Sequence, residues 1–308
     1  GWLAGLGLLA FTLLVSSFLV YALTVLVPGD PALALFRARY GEAAAPEPAQ
    51  VEAIRHEAGF DRSIPEQYAA WLGRALQGDL GQSFTKRRPV MPMILDRLPI
   101  TLTLTLGALA LALVLAVPFG LLAGRSAGAS RVMLGVTQIG LSIPDYVLAI
   151  ALMLTFAVKL TVLPVSGWGT PAAFVLPIAT LALRPWATFT RLVMAGLDET
   201  LRSDWARTAR AKGLPEGIVL RRHALPHTML PVVSLLGASA SGALAGGLVA
   251  EVIFAIPGVG RLLYEAIGER DIPTVQACLL VQVSLAITAN WLADVASRQI
   301  NPLLKVRS

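Results

Sequence analysis

Long stretches of this chain carry almost no charge, and they decide what its solvent must be. Residues 3–27 and 98–124 contain no Asp, Glu, Lys or Arg. Comparable apolar runs follow at about 132–160, interrupted by Ser142-Ile143-Pro144-Asp145, and at about 172–194 with Arg184 inside. Two more lie at 225–254 and about 273–295. A helix crosses a hydrocarbon slab about 30 Å thick with about 20 mostly apolar residues, and each run reaches that length. Hydrophobic residues are 56% of the chain and charged ones 14%, against roughly 25% charged in an average soluble domain. A water-soluble core cannot hide that much apolar surface. The expected fold is an all-α integral membrane protein with six transmembrane helices, because a helix satisfies its own backbone groups in lipid.

The first run reads as a retained span, being longer than a signal-peptide core and without a clear cleavage site. Pro28-Gly29-Asp30-Pro31 stops it. Residues 29–96 then form a polar insertion containing short amphipathic pieces, such as 65–76, where Tyr68, Trp71, Leu72 and Ala75 share a face. Cys278, the single cysteine, excludes an intramolecular disulfide and reads as a buried, inert thiol. The net charge of +6 reads as basic loops facing the cytoplasm and anionic lipid rather than nucleic acid. Arg125 and Arg131 lie between spans two and three, and Arg202, Arg207, Arg210, Lys212, Arg221 and Arg222 between four and five. Residues 161–171, between three and four, carry no charge. The excess of basic residues therefore places both termini and the 204–226 loop in the cytoplasm.

That loop has the makings of a helix. Asp204 can cap its start, residues 205–212 are good helix formers, Gly213 can close it and Pro215 stops it. The alanines would let such a helix sit deep in a partner's groove, with Arg207, Arg210 and Lys212 meeting acidic rims.

The segment resembles the coupling loop of binding-protein-dependent ABC importer permeases, whose signature is Glu-Ala-Ala, three residues, Gly, nine residues, Ile-x-Leu-Pro. Arg207-Thr208-Ala209 occupies the first slot, Gly213 the glycine, and His223-Ala224-Leu225-Pro226 the end. Arg207 and His223 depart from the general signature and look like the peptide/nickel permease version. Further matches are Pro-Gly-Asp-Pro at 28–31, Gly-Asp-Leu-Gly at 78–81, Leu163-Pro164, 176–183, 251–260, Arg270-Asp271 and Ile300-Asn301-Pro302.

The resemblance implies a type I ABC importer permease fold in a bacterial or archaeal cytoplasmic (inner) membrane. Domains expected are a first span (1–28), an extracytoplasmic insertion (29–96) and a five-span core (97–300) with the coupling loop at 200–225. It implies as partners a homologous second permease, two ATP-binding cassette subunits and an extracytoplasmic solute-binding protein. This chain binds no cofactor in that scheme; ATP and Mg belong to the ATPase subunits, and no G-x-x-x-x-G-K-[ST] phosphate loop occurs here. The coupling residues implied are Asp204, Trp205, Arg207, Thr208, Ala209, Lys212 and Gly213.

Within the spans, charge is costly enough to suggest function. Asp145 and Arg184 are expected to pair or to face an aqueous pathway, unless they lie nearer an interface and snorkel. Residues 237–247 are rich in Gly, Ala and Ser, and Gly242 and Gly246 form a G-x-x-x-G pair suited to close helix approach, within the chain or along the pathway beside a second permease. Glu251 ends that span. Residues 259–268 put Leu262, Leu263, Ala266 and Ile267 on one face of an interfacial amphipathic helix, similar to the family's short scoop, which together with the insertion forms a platform for the binding protein. His223 and His227 stand four apart, but Pro226 intervenes and no carboxylate or Cys is near, so no metal site is expected. No catalytic constellation is present. The family's solutes include dipeptides, oligopeptides, glutathione, nickel chelates and some sugars. Arg87-Arg88-Pro89-Val90 and Gly29–Leu33 lean toward the nickel-chelate and glutathione branches. A stand-alone secondary transporter or channel, or a scaffold without transport, is the alternative; neither a midplane ion site nor an inverted repeat is visible in the sequence.

Overall fold

The computed structural model describes residues 2–26, 29–41, 44–124 and 126–300. Val27, Pro28, Arg125, Asn301, Pro302 and the His223 side chain lie outside the described residues. The helices are α1 Trp2–Val25, α2 Pro31–Tyr40, α3 Pro48–Ala58, α4 Ile64–Ala75, α5 Val90–Ala123, α6 Ala127–Ser142 and α7 Asp145–Leu152. They continue as α8 Val175–Leu201, α9 Asp204–Ala211, the short α10 Glu216–Ile218, α11 Leu225–Ile253, α12 Val259–Gly268 and α13 Ile272–Ile300. Five stretches are long and apolar enough to cross a membrane: Gly5–Val25, Val90–Ala123, Pro171–Leu201, Glu216–Ile253 and Ile272–Ile300.

The third expected span is not a rod. α6 and α7, the latter continuing into π-helical turns over Met153–Lys159, meet at 99°. Pro144 causes the break: it has no N–H to donate and keeps Ile143 out of the helical region. Both residues are extended, at ψ 124° and 141°. Pro144 takes the cap position, so Asp145 does not cap α7 but opens its first turn, where a carboxylate faces the positive end of the helix dipole.

The chain divides into two compact units. One comprises residues 102–256 with 288 onward. Here α8 is the hub, with α6, α7 and α11 packed on it, and its buried side includes Leu181, Ala187, Phe189 and Val193.

The other unit comprises residues 2–101 and 257–287. The buried stripe of α1, Ser17, Val20, Tyr21 and Thr24, receives α4. The Ser17 hydroxyl lies 2.7 Å from the Tyr68 hydroxyl, and Phe18, Tyr21, Tyr68 and Trp71 form an aromatic cluster with ring centroids 5.2 to 6.0 Å apart. Tyr68 and Trp71 are the buried residues of α4's apolar face, and a Ser63–Glu66 capping box starts that helix. Hydrogen bonds from Ser63 hold the Glu66 carboxyl below the usual range. α2 and α3 close a small core of Ala32, Phe36 and Ile54, fastened by Arg55 on Asp30 at 2.7 Å. α5 begins at Val90, inside the stretch expected to form the insertion.

Asp271 ties the Gly-Asp-Leu-Gly region to the start of α13. Only 1% exposed, it accepts hydrogen bonds from the Ser83 hydroxyl, the Phe84 N–H, and the Thr85 and Thr274 hydroxyls. Glu265 of α12 meets Lys86, Arg97 and Arg261. α12 spans the expected residues, but its apolar face is Val259, Leu262, Leu263 and Ala266, buried in protein, while Ile267 points outward at 57% exposure. An Asp271→Ala variant leaves several donors unsatisfied, at about 1–3 kcal/mol each. Tryptic cleavage after Lys86 or Arg87 in the folded, purified protein is expected to become at least severalfold faster. An unchanged rate would mean that the loop is held elsewhere.

Candidate functional site

α9 projects a charged surface while sitting on a very small apolar base. Ala206 (0% exposed), Ala209 and Val219 form a core with Leu201 against it. Ala206 and Ala209 therefore face the chain itself, while Ala211 stays exposed, and Ala209, expected on the partner-facing side, points inward. Ser203, not Asp204, occupies the cap position; Asp204 is the first helical residue. The far end closes as a Schellman turn. Gly213 has φ +79°, its N–H donates to the Arg210 carbonyl at 2.9 Å, and the Leu214 N–H donates to Ala209 at 3.2 Å.

Arg210, expected to meet a partner, is used internally. Its guanidinium donates to both Glu216 oxygens at 3.0 and 2.7 Å and to the Leu201 carbonyl at 3.0 Å. The hydrogen bonds to Glu216 raise its pKa further above the ordinary arginine value. This staple joins both ends of the loop. What remains outward is Trp205, Arg207, Thr208 and Lys212, beside the Gly213 turn. Arg207 reaches Asp204 only at 3.8 Å, with side chains 75% and 99% exposed, a pair worth little. The Trp205 ring lies 6.0 Å from that of His227 on α11.

A second constellation lies among the spans. Arg184 of α8 and Asp145 of α7 approach to 3.6 Å. Gly246 of α11 leaves room for this carboxylate: a Cβ there would stand 3.1 Å from Asp145 Oδ2 and 3.3 Å from Leu181. Gly242 has open space instead, so the two glycines do not form one close-packed seam. Glu251 is fully buried near the end of α11. The sequence reading missed Arg191, whose guanidinium donates to Thr137 at 3.1 Å and Gln138 at 2.9 Å on α6. The signal was available, since 184, 188 and 191 fall at helical spacing on one stripe. No group of three or more His, Cys, Asp or Glu able to hold a metal occurs among the described residues.

Five helices long and apolar enough to cross a membrane, or six with the bent pair, define a multi-pass membrane protein. Residues 116–306 match the family described as binding-protein-dependent transport system inner membrane component, and residues 5–105 match its N-terminal counterpart. The chain belongs to this family: it is a permease subunit of an ABC importer in the inner membrane, whose ATP is hydrolysed by a partner ATPase. It is 34% identical to the glutathione transport system permease protein GsiC of Pectobacterium atrosepticum, over 96% of this chain and 95% of that one. It is 32% identical to the dipeptide transport system permease protein DppB of Lactococcus lactis, over 98% and 97%. Among solved structures, the inward-facing MetNI methionine ABC transporter aligns with TM-score 0.59 at 18% identity, covering 68% of this chain and 97% of that chain. An amino acid ABC transporter with histidines aligns at 0.54 and 17%, covering 68% and 94%. These likenesses establish the type I importer permease fold.

Proposed function

We propose that this subunit moves peptides, or a related small solute such as glutathione, into the cytoplasm, driven through the outward face of α9. On this reading Trp205, Arg207, Thr208 and Lys212 touch the ATPase, Asp204 and Gly213 bound the docking helix, and Ala209 positions it from below. The observation that carries the proposal is the mounting of α9: a helix this polar is stapled in place by Arg210 yet leaves Arg207, Thr208 and Lys212 exposed. Closure of the ATPase dimer would push the loop as a rigid body and switch the spans between inward- and outward-open states. The full assembly would contain a homologous second permease, two ATPase subunits and an extracytoplasmic binding protein, with both termini of this chain cytoplasmic. Residues 29–89, α12 and the basic depression lined by Lys86, Arg88 and Arg97 would form the platform for the binding protein. Nickel chelates remain within the same proposal, because selectivity rests largely with that protein.

The test is copurification and uptake. In a mild detergent the chain should retain an ATPase subunit, and Trp205→Ala with Lys212→Ala should cut that retention severalfold without lowering membrane yield. Vesicles containing the assembly should take up labelled di- or tripeptide, or glutathione, only with ATP inside. Absence of any associated ATPase would end this reading.

A further inference from the structure

Between Leu176 and Met194, Arg184 is the only exposed residue of α8, otherwise the most enclosed of the span helices. At 1.5 Å per residue it lies about 14 Å from the start of α8 and about 26 Å from its end, well inside a slab about 30 Å thick. A guanidinium at that depth would normally be covered, paired and hydrogen-bonded. This one has a 53% exposed side chain, approaches Asp145 only to 3.6 Å through Nε, and makes no side-chain hydrogen bond among the described residues.

Its surroundings are polar along the same stripe. Thr188 follows one turn on, then Arg191 with Thr137 and Gln138 of α6, and the Ser142 hydroxyl bonds back to the Gln138 carbonyl. Two arginines against one aspartate leave this lane net positive. Arg191 is committed to two hydrogen bonds, so Arg184 is the cation with capacity to spare. Its planar fork of donors matches a carboxylate bidentately.

We propose that Arg184 is a binding subsite for a carboxylate of the solute in transit, and that Asp145 is the counter-ion which that carboxylate displaces. This rests on the permease reading above and adds to it the charge class of what passes. Gly246 fits the role, because it gives Asp145 a place against the α11 backbone without a competing side chain.

The sole cysteine, Cys278, is buried, so Thr188→Cys supplies one accessible thiol in the lane. Vesicles carrying the assembled importer are treated with anionic or cationic methanethiosulfonate reagents, with and without ATP and vanadate. The anionic reagent should react faster by about tenfold, the effect of a cleft lined by one sign of charge. Adding Arg184→Gln should abolish that preference, and Arg184→Lys should keep most of it. Trialanine should slow the anionic reagent, and trialanine amide should not. No labelling in either nucleotide state would place the stripe against lipid, with Arg184 serving a headgroup, and would overturn the proposal. Labelling without charge preference, or equal protection by the amide, would overturn it as well. ATPase retention, measured on the same preparations, reports separately on whether the chain is an importer subunit at all.

Discussion

Ala206→Asp is expected to reach the membrane at near wild-type yield and to lose its ATPase subunit on purification. Ala206 is fully buried, yet among the described residues its core consists of Ala209, Val219 and the edge of Leu201. Apolar burial is worth about 0.8 kcal/mol per CH₂, so this base holds α9 with only a few kcal/mol. A carboxylate there gains no partner from Arg210, which is turned to Glu216 and the Leu201 carbonyl. Burying an unpaired charge costs several kcal/mol, more than the base supplies, so α9 should detach rather than bury it. The span helices do not depend on that core, and yield should therefore survive. Copurification of the ATPase and ATP-driven uptake check this, with Ala206→Ser as the tolerated control. Full retention of the ATPase by Ala206→Asp would show that docking does not need the helix seated.

How much of this was legible beforehand depended on whether a pattern is local. α9 and α12 follow from capping and period and were readable almost to the residue. Hydropathy located the spans but not their ends: α5 starts at Val90 rather than 98, and α8 runs on to Leu201. The facing of α9 was not. Ala206 and Ala209 looked like a groove-fitting surface because alanine is equally at home against a partner or against its own chain. Only Val219, ten residues past Ala209, decides between the two. Arg210 was misread for the same reason: its acceptors, Glu216 and the Leu201 carbonyl, lie on opposite sides of it in sequence. The bend at Pro144 was readable as an interruption, but its 99° angle is a tertiary outcome. The approach of Asp145 to Arg184 was guessed from the cost of charge in lipid. Arg191 went unnoticed although Arg184, Thr188 and Arg191 share one helical stripe, because its partners Thr137 and Gln138 lie more than 50 residues away on α6.

Gly237→Val is expected to be the most damaging single change in α11, although Gly242 and Gly246 carry the recognisable motif. A Cβ at 237 would stand 2.5 Å from Asn290 Cα and 2.9 Å from the Ala289 carbonyl oxygen of α13. These are backbone atoms, so no rotamer change makes room, and the two helices must separate. Helices in lipid associate through close packing rather than a hydrophobic drive, and forced overpacking costs about 1–3 kcal/mol or more. Separation would also stretch the Asn290 amide hydrogen bond to Ser241, now 2.8 Å, and the Ser234–Ser297 contact of 3.0 Å. Thermal unfolding of the purified chain should shift down by several degrees, with membrane yield falling in step. Gly242→Val, with nothing of its own chain within 4 Å, should leave that melting point in place. If Gly242 faces the second permease, the same variant should instead lose that subunit during purification. Equal melting of Gly237→Val and the parent would mean that α11 and α13 can part freely, leaving the glycine without a packing role.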